Sequence, residues 1–426
     1  MHPVLSTPVL RRRLLAAATA LALILAAVAC SSDEGSDAGA GASSTTGLGT
    51  VSSTTGPTTT VPVVPNQIDG MAPVLDAANV YSETGPDDLS PAVANARHYV
   101  YVPHNDDGTV WVIDQATYEV VGKHHVGDLV QHVVPNHDMT TLWANASGSS
   151  QLIPFDPATG QPGTPVDVDA PYNLYFTPDG GSAIVMAERR NRMDYYDPTT
   201  WQRTHSVDVP CHGKGATTGG INHADWSADG QWFIATCEFS GRLVKAETTT
   251  GNILGTLDLD SPSLMPQDAR VAPDGTTFLI ADMMAGGVHV IDGPTLRKVG
   301  FIPTGEGAHG IYPSRDAKVA YVSNRGHVSH KGGATGGGGT VSVVDFASLK
   351  VIDTWAIPGG GSPDMGGVSA DGTKLWLSGR YDDVVYVFDT ATGEVVTTIP
   401  VGKGPHGLAV FPQPGRFSLG HTGNYR

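Results

Sequence analysis

Val-Ile-Asp-Gln-Ala-Thr at positions 112–117 and Val-Phe-Asp-Thr-Ala-Thr at positions 387–392 are two copies of the pattern that decides the fold. In each copy, apolar residues that favour strands end at an acidic residue, and Thr or Ser follows three places later. The acidic side chain can accept hydrogen bonds from the backbone N–H groups just after it and so close a tight turn. Seven acids occupy this position: Asp114, Asp156, Asp197, Glu247, Asp292, Asp345 and Asp389.

The spacing of these acids predicts the architecture. Successive acids are 42, 41, 50, 45, 53 and 44 residues apart, and a period of about 40–50 residues with strand-like content is typical of one four-stranded propeller blade. A second turn signal recurs in the same phase, at Asp179-Gly180, Asp229-Gly230, Asp274-Gly275 and Asp371-Gly372. We therefore expect an all-β chain that forms a seven-bladed β-propeller over residues 95–426. Pairing of the N- and C-terminal strands, with Gly407–Phe411 innermost in the first blade, should close it and leave no open edge.

Three segments of the repeats carry a family resemblance. Residues 404–412 (Gly-Pro-His-Gly-Leu-Ala-Val-Phe-Pro), 321–324 (Tyr-Val-Ser-Asn) and 341–345 (Val-Ser-Val-Val-Asp) resemble the YVTN-repeat β-propeller family. The resemblance covers residues 95–412 and implies the propeller fold. It implies no single activity, because relatives in that family include lactone hydrolases, haem-binding reductase domains and surface proteins.

The N-terminal residues resemble a bacterial lipoprotein signal. Arg11-Arg12-Arg13 precede an apolar run from Leu14 to Val28, and Cys30 follows small residues. We expect residues 1–29 to be a signal peptide, Cys30 to be lipidated, and the protein to be exported and anchored to the outer face of the cell membrane. An uncleaved membrane anchor is the alternative, and the arginines leave both Sec and twin-arginine export open.

The next segments predict a tether and a lead-in. Residues 30–65 are rich in Ser, Thr, Gly and Pro and carry few apolar residues, so they cannot bury enough surface to offset the entropy of ordering. We expect them to be disordered, and residues 66–94 to form an extended lead-in that packs on the propeller. The formal net charge is −17 with no basic patch, which argues against a nucleic-acid partner.

Cys211 and Cys237 are the remaining cysteines, and we expect a disulfide between them in an oxidising compartment. In a propeller, the loop before blade 4 and the end of that blade's second strand lie on one face. A metal site that combines these cysteines with His212 or His223, and a pair of free thiols, are the alternatives. No Cys-x-x-Cys-His segment occurs, so we expect no covalent c-type haem.

Histidine and aspartate recur at the start of the predicted innermost strands, which line the central channel. Six residues share this phase: His132, His223, Asp268, His309, Asp364 and His406. Imidazole and carboxylate groups at a concave mouth suit a transition metal, here copper or zinc, or a small ligand. The alternative interpretation is a polar, water-filled channel in which these side chains only satisfy backbone groups.

Five further histidines are expected on the rim of the same face: His104, His212, His327, His330 and His421. We expect His124, His125, His205 and His289 to be surface residues of outer strands. His327 and His330 lie in a glycine-rich insertion between the second and third strands of the sixth repeat, which is either a flap over the mouth or a surface loop. It lacks the Gly-Lys-Ser/Thr of a phosphate loop.

Two functional classes remain open. A binding or scaffold lipoprotein would use the top face for a protein partner, metal or small ligand, without turnover. A metal- or haem-assisted enzyme, of lactone hydrolase or oxidoreductase type, would use the same histidines and aspartates for chemistry. The sequence assigns no catalytic residue, and the Gly-x-Ser-x-Gly signature of many serine hydrolases is missing from it.

Overall fold

The computed structural model describes residues 64, 66–212, 220–260, 264–327, 337–421 and 423–426. The signal peptide, Cys30, nearly all of the tether and His330 lie outside these residues, and what we expect of them stays a prediction. Among the described residues, no helix has both the length and the apolar character needed to cross a membrane.

The first four blades follow the chain. Blade 1 begins with β1 (Tyr99–His104), β2 (Thr109–Asp114) and β3 (Val120–His125). Blade 2 contains β4 (Val130–Pro135), β5 (Leu142–Ala146), β6 (Gln151–Asp156) and an outer strand in two pieces, β7 (Gln161–Pro162) and β8 (Val166–Asp167). Blade 3 contains β9 (Asn173–Phe176), β10 (Ala183–Ala187), β11 (Arg192–Tyr196) and β12 (Arg203–Asp208). Blade 4 contains β13 (Ile221–Trp226), β14 (Trp232–Cys237), β15 (Arg242–Glu247) and β16 (Ile253–Asp258).

Three more blades and a closing strand complete the ring. Blade 5 contains β17 (Pro266–Val271), β18 (Thr277–Asp282), β19 (Gly287–Asp292) and β20 (Arg297–Pro303). Blade 6 contains β21 (Ala308–Pro313), β22 (Val319–Asn324), β23 (Thr340–Asp345) and β24 (Lys350–Ala356). Blade 7 contains β25 (Pro363–Val368), β26 (Lys374–Gly379), β27 (Val384–Asp389) and β28 (Val395–Pro400). The last strand is β29 (Ala409–Phe411), and two 3-10 helices cover Pro91–Val93 and Glu188–Arg190.

The prediction of a closed seven-bladed propeller is confirmed. Strand β29 pairs antiparallel with β1, Tyr99 opposite Phe411 and Tyr101 opposite Ala409, so blade 1 is built from both ends of the propeller. The predicted turns also form, since Asp114 Oδ1 accepts hydrogen bonds from the backbone N–H groups of Ala116 and Thr117. This closure pairs two strand edges that an open array would leave exposed.

Seven buried apolar clusters hold the blades together, one at each interface between neighbours. At the joint between blades 7 and 1, for example, Trp376 packs in one cluster with Val100 and Val410. Burial of such large apolar side chains is the main favourable term in folding. A ring of interlocked clusters gives the channel a rigid wall.

Two irregular segments close the face opposite the predicted site. The lead-in crosses blades 4 and 5, where Ile68 N donates to Asp229 O, and buried Tyr81 donates from its hydroxyl to Val271 O at 2.6 Å. The C-terminal segment, residues 412–426, turns into the channel, and nearly all of its described residues are buried. We call this segment the tail. It places His421 deep between the inner strands.

Candidate functional site

The six residues predicted to line the channel lie on or beside the innermost strands. His132 is on β4, His223 on β13 and Asp268 on β17. His309 is on β21, Asp364 is on β25, and His406 precedes β29. Each of the six is at most 1% exposed. The common phase in the sequence therefore corresponds to a common position in the channel wall.

A β-bulge explains why these side chains point into the channel. The pairing of the inner strand with the second strand skips two residues in five blades, and the skipped pairs contain His132, His223, Asp268, His309 and Asp364. A bulge turns the local backbone and re-aims a side chain. Hydroxyl groups of the second strand support it, since Thr236 Oγ1 accepts from His223 N at 3.1 Å and Ser323 Oγ accepts from Gly310 N at 2.9 Å.

Three imidazoles form the tightest group of possible metal ligands. One ligand nitrogen from each of His132, His223 and His421 lies within 4.8 Å of the other two. The ring centroids are 5.4 Å apart for His132 and His223, and 4.5 Å apart for His223 and His421. Because a Zn–N bond measures about 2.0–2.1 Å, bound metal would draw the rings closer together. We call these three residues the histidine triad.

Hydrogen bonds orient the triad. His132 Nδ1 donates to the backbone oxygen of Tyr172 at 3.0 Å, which leaves the lone pair of its Nε2 facing the channel. Asn173 Nδ2 lies 3.1 Å from Nδ1 of both His223 and His421, and Asn173 Oδ1 accepts from Leu174 N. His421 Nε2 lies 3.4 Å from Asp268 Oδ1. The Nε2 atoms of His132 and His223 are buried and form no hydrogen bond with any residue that the structure describes.

His309 and His406 form a second pair on Asp364. His406 Nδ1 lies 2.7 Å from Asp364 Oδ2, and His309 Nδ1 lies 3.2 Å from Asp364 Oδ1. The carboxylate also accepts from Arg325 Nε at 2.7 Å. A carboxylate on Nδ1 directs the opposite nitrogen, Nε2, toward the channel, as metal-bound histidines require. The pair adjoins the triad, with 4.8 Å between the ring centroids of His132 and His406.

The carboxylate of Asp268 contacts the triad through His421 and is held in place by its other partners. Its Oδ2 accepts from Ile311 N at 2.9 Å and lies 3.2 Å from Arg270 Nη2, and all of these groups are buried. A buried carboxylate needs such partners to offset its desolvation. Asp268 and Asp364 thus orient histidines and pair with arginines, whereas the nitrogens that face the channel are imidazole nitrogens.

Burial keeps the channel imidazoles neutral. It lowers the pKa of His132 to about 4, and it lowers the pKa values of His223, His309, His406 and His421 well below their usual range. Neutral imidazole is the form that binds a metal ion. Metal binding at neutral pH therefore does not require the rings to lose a proton first.

The remaining predicted rim histidines lie apart from the triad. His104 is buried at the joint of blades 1 and 7, where Thr109 Oγ1 lies 3.1 Å from its Nδ1 and Gly402 N donates to its Nε2. His212 is exposed, and His327 is exposed beside Glu306, with 2.8 Å between Nδ1 and Oε2. The expectation that His289 is a surface residue is wrong. It lies on β19, the third strand, is 1% exposed, and contacts Asp282 Oδ2 at 3.3 Å.

Cys211 and Cys237 are joined in a disulfide, with 5.2 Å between their Cα atoms. Cys237 ends β14, and Cys211 lies in the segment that leads into blade 4. Both cysteines are fully buried. The bond therefore ties that segment to the blade that carries His223.

Two parts of this site are poorly marked in the sequence. Asn173 stands in the same phase as His132 and His223, and this alignment is its one signal, because an amide is a less typical site residue than an imidazole. His421, predicted on the rim, lies instead in the tail. The path of the tail into the channel depends on distant contacts such as that of Asn424 Nδ2 with Ala224 O at 3.1 Å.

Comparison with known proteins identifies the fold. A family model described as a YNCE-like β-propeller matches residues 68–416. Among proteins with curated functional descriptions, no sequence match was found. Many solved structures are similar in fold, and three illustrate the range of proteins that share it.

A functionally unknown protein from Desulfotomaculum acetoxidans DSM 771 is 14% identical, with a TM-score of 0.58 over 74% of this chain and 98% of that one. Hydrazine synthase from Kuenenia stuttgartiensis is 18% identical, with a TM-score of 0.52 over 66% of this chain and 90% of that one. The dihydro-heme d1 dehydrogenase NirN is 13% identical, with a TM-score of 0.53 over 76% of each chain. At these identities the likeness shows the fold alone.

Proposed function

The chain belongs to the YNCE-like β-propeller family, and from this premise we propose that it is an exported, lipid-anchored binding protein whose channel holds one copper or zinc ion. The ligands are the three residues of the histidine triad, His132, His223 and His421. Three imidazoles that leave a coordination position open suit either metal. The fold itself serves as a rigid frame, because two ligands come from different blades and the third comes from the tail that fills the channel.

One observation carries this proposal. The Nε2 atoms of His132 and His223 are buried and find no hydrogen-bond partner in the described part of the chain, and a nitrogen of each lies within 4.8 Å of a nitrogen of His421. An unsatisfied polar atom in a dry interior costs free energy. A metal ion held with the help of His421 would satisfy the Nε2 atoms of both His132 and His223. Side chains that only supported the backbone of a polar channel would not need such a partner.

Asn173 must change its hydrogen bonds when the metal binds. As placed, its amide nitrogen donates to Nδ1 of His223 and His421, so each neutral ring carries its proton on Nε2. If Nε2 of His223 held the metal, the ring proton would lie on Nδ1, which would then need an acceptor. Rotation of the Asn173 amide, with loss of its bond from Leu174 N, would bring the amide oxygen to that position. Asn173 is therefore a positioning residue.

The test is a metal titration of protein prepared with a chelator and then freed of it. We expect Zn²⁺ and Cu²⁺ each to bind in a 1:1 ratio by calorimetry, and His223→Gln to weaken binding at least tenfold. His125→Gln with His205→Gln is the matched control, because both residues are exposed on outer strands. Equal affinity in His223→Gln and the parent protein would contradict the proposed site.

The membrane anchor has a separate test. We expect the full chain expressed in a bacterial host that lipidates exported proteins to fractionate with membranes, and Cys30→Ala to move it to the soluble extracytoplasmic fraction. A Cys30→Ala protein that stays with the membrane would instead support the uncleaved anchor.

A further inference from the structure

The residue that follows the second strand of each blade stands at the mouth of the channel, above the imidazoles. These seven positions, in blade order, are Asn105, Ser147, Glu188, Glu238, Met283, Arg325 and Arg380. The second strands all run toward the same face, so the positions form a ring. We call it the mouth ring. Its two glutamates are neighbours on blades 3 and 4, and its two arginines are neighbours on blades 6 and 7.

The acidic half of the mouth ring forms no direct ion pair with the described residues, although the charges of Arg189, Arg325 and Arg380 act on it from a distance. The pKa of Glu188 is raised to about 8, mainly by burial and to a smaller extent by the charge of Glu238. Burial also raises the pKa of Glu238. Asn222 Nδ2 donates to Glu238 Oε2 at 2.9 Å. Within the described parts of the chain, neither glutamate has a basic nitrogen within 4.0 Å. Burial thus favours the neutral form of Glu188 at neutral pH, and a bound cation would favour the ionised form of both carboxyl groups.

The basic half has more positive than negative charge. Arg325 Nη2 lies 2.6 Å from Asp364 Oδ1, and the same carboxylate already contacts His309 and His406. Arg380 reaches Asp364 only at 3.9 Å. Its Nη1 is buried without a hydrogen-bond partner among the described residues, while 23% of the side chain is exposed. One carboxylate therefore faces two guanidinium groups, and Arg380 can accommodate an anion.

The two halves lie on opposite sides of the ring. Blade 5 separates blades 3 and 4 from blades 6 and 7 on one side, and blades 1 and 2 separate them on the other. The channel imidazoles lie below both halves, and the hydroxyl of Tyr172 is 3.4 Å from His406 Nε2.

We propose that the mouth ring binds a small zwitterion that carries one ammonium and one carboxylate group, the charge pattern of free amino acids and short peptides. The ammonium group lies against Glu188 and Glu238, and the carboxylate lies against Arg380 and Arg325. A ligand with only one of these charges would leave one half without a partner in a partly desolvated site. The site goes beyond the metal site and needs no metal.

The probe is a series of unbranched amino acids with increasing separation of charge: glycine, β-alanine, 4-aminobutanoate and 6-aminohexanoate, with glycylglycine added. The titrations use the full chain with a chelator present, so the result does not depend on the histidine triad. We expect at least one member to bind in a 1:1 ratio. Its N-acetyl derivative and its carboxamide should each bind at least tenfold more weakly. No binding by any member would overturn the proposal, and so would equal binding of either derivative.

Two variants locate the site. Glu238→Gln and Arg380→Gln should each weaken binding of the best probe at least tenfold. The matched controls are Glu394→Gln and Arg297→Gln, which change the same residue types at exposed positions and should bind as the parent does. Equal loss in variant and control would overturn the assignment. If Glu238→Gln fails to fold, the two blocked derivatives still decide the question on the parent protein.

Discussion

Arg426 Nη2 lies 2.6 Å from Asp225 Oδ1, and this buried ion pair fastens the tail inside the channel. Asp225 lies on β13, two residues after His223, and its Oδ2 accepts from Val271 N of blade 5 at 2.8 Å. The guanidinium also lies over the ring of Tyr81 from the lead-in, 5.0 Å from its centroid. One contact therefore links the tail, the lead-in and two inner strands.

Removing this cation should destabilise the whole ring. Arg426→Ala leaves the carboxylate of Asp225 buried without its charge partner, and we expect a loss of roughly 3–5 kcal/mol in the free energy of unfolding. Denaturant unfolding measures it. Arg297→Ala, at an exposed position, should change stability by less than about 0.5 kcal/mol. Similar small losses in both variants would show that the ion pair does not hold the tail.

Replacing the amide nitrogen of Asn173 by oxygen should increase the affinity of the site for metal. In Asn173→Asp, a carboxylate accepts the Nδ1 protons of His223 and His421 without any rotation, and such partners raise the basicity of the opposite nitrogen. We expect Zn²⁺ affinity to rise about tenfold in Asn173→Asp and to fall about tenfold in Asn173→Ala. Calorimetry measures both. An equal fall in the two variants would mean that Asn173 serves packing alone.

The disulfide should be detectable by thiol titration and by its effect on the free energy of unfolding. Thiol titration of denatured, unreduced exported protein should find Cys211 and Cys237 blocked as a pair. Cys211→Ser with Cys237→Ser should lower the free energy of unfolding by roughly 2–4 kcal/mol, because the unfolded chain loses a constraint. A reductant should then destabilise the parent and leave the double variant unchanged. Two thiols that alkylate freely would reject the bridge.

The lowered pKa of His104 predicts how the free energy of unfolding depends on pH. Burial lowers its pKa to about 4 in the folded protein, against about 6.5 in an unfolded chain. The unfolded chain therefore binds this proton at a higher pH, so the contribution is complete above pH 6.5 and is lost as the pH falls toward 4. Urea unfolding of metal-free protein between about pH 7 and 4.5 should show this decline. The buried channel histidines, whose pKa values are also lowered, contribute to the same decline. His104→Gln should therefore make the decline shallower by the share of one proton, and an unchanged slope in that variant would contradict the assignment.

Closure by β29 predicts the effect of a truncation. Deleting residues 404–426 removes both the inner strand of blade 1 and the tail, so β1 keeps β2 but loses its inner partner, and the channel loses the tail that fills it. We expect the truncated chain to lose cooperative thermal unfolding, which calorimetry records. A sharp transition near the parent temperature would show that the remaining strands close without β29.

The amino-acid sequence by itself determined the blades. The turn at Asp114 and its six repeats depends on hydrogen bonds between residues two or three positions apart, and strand periodicity is equally local. Such short-range patterns are visible in one dimension. They sufficed for the seven-bladed ring, for the pairing of its ends, and for the placement of His132 and His223 on innermost strands.

Only the tertiary structure decided which of these side chains meet. His421 joins His132 and His223 because the tail turns into the channel, held by Arg426 on Asp225 across 201 positions of sequence. No repeat or period marks the tail, since its contacts are each made once and with different blades. The mouth ring has the same origin. Glu188 belongs to its acidic half and Arg380 to its basic half. Their burial and their neighbours on other blades arise only when the ring closes.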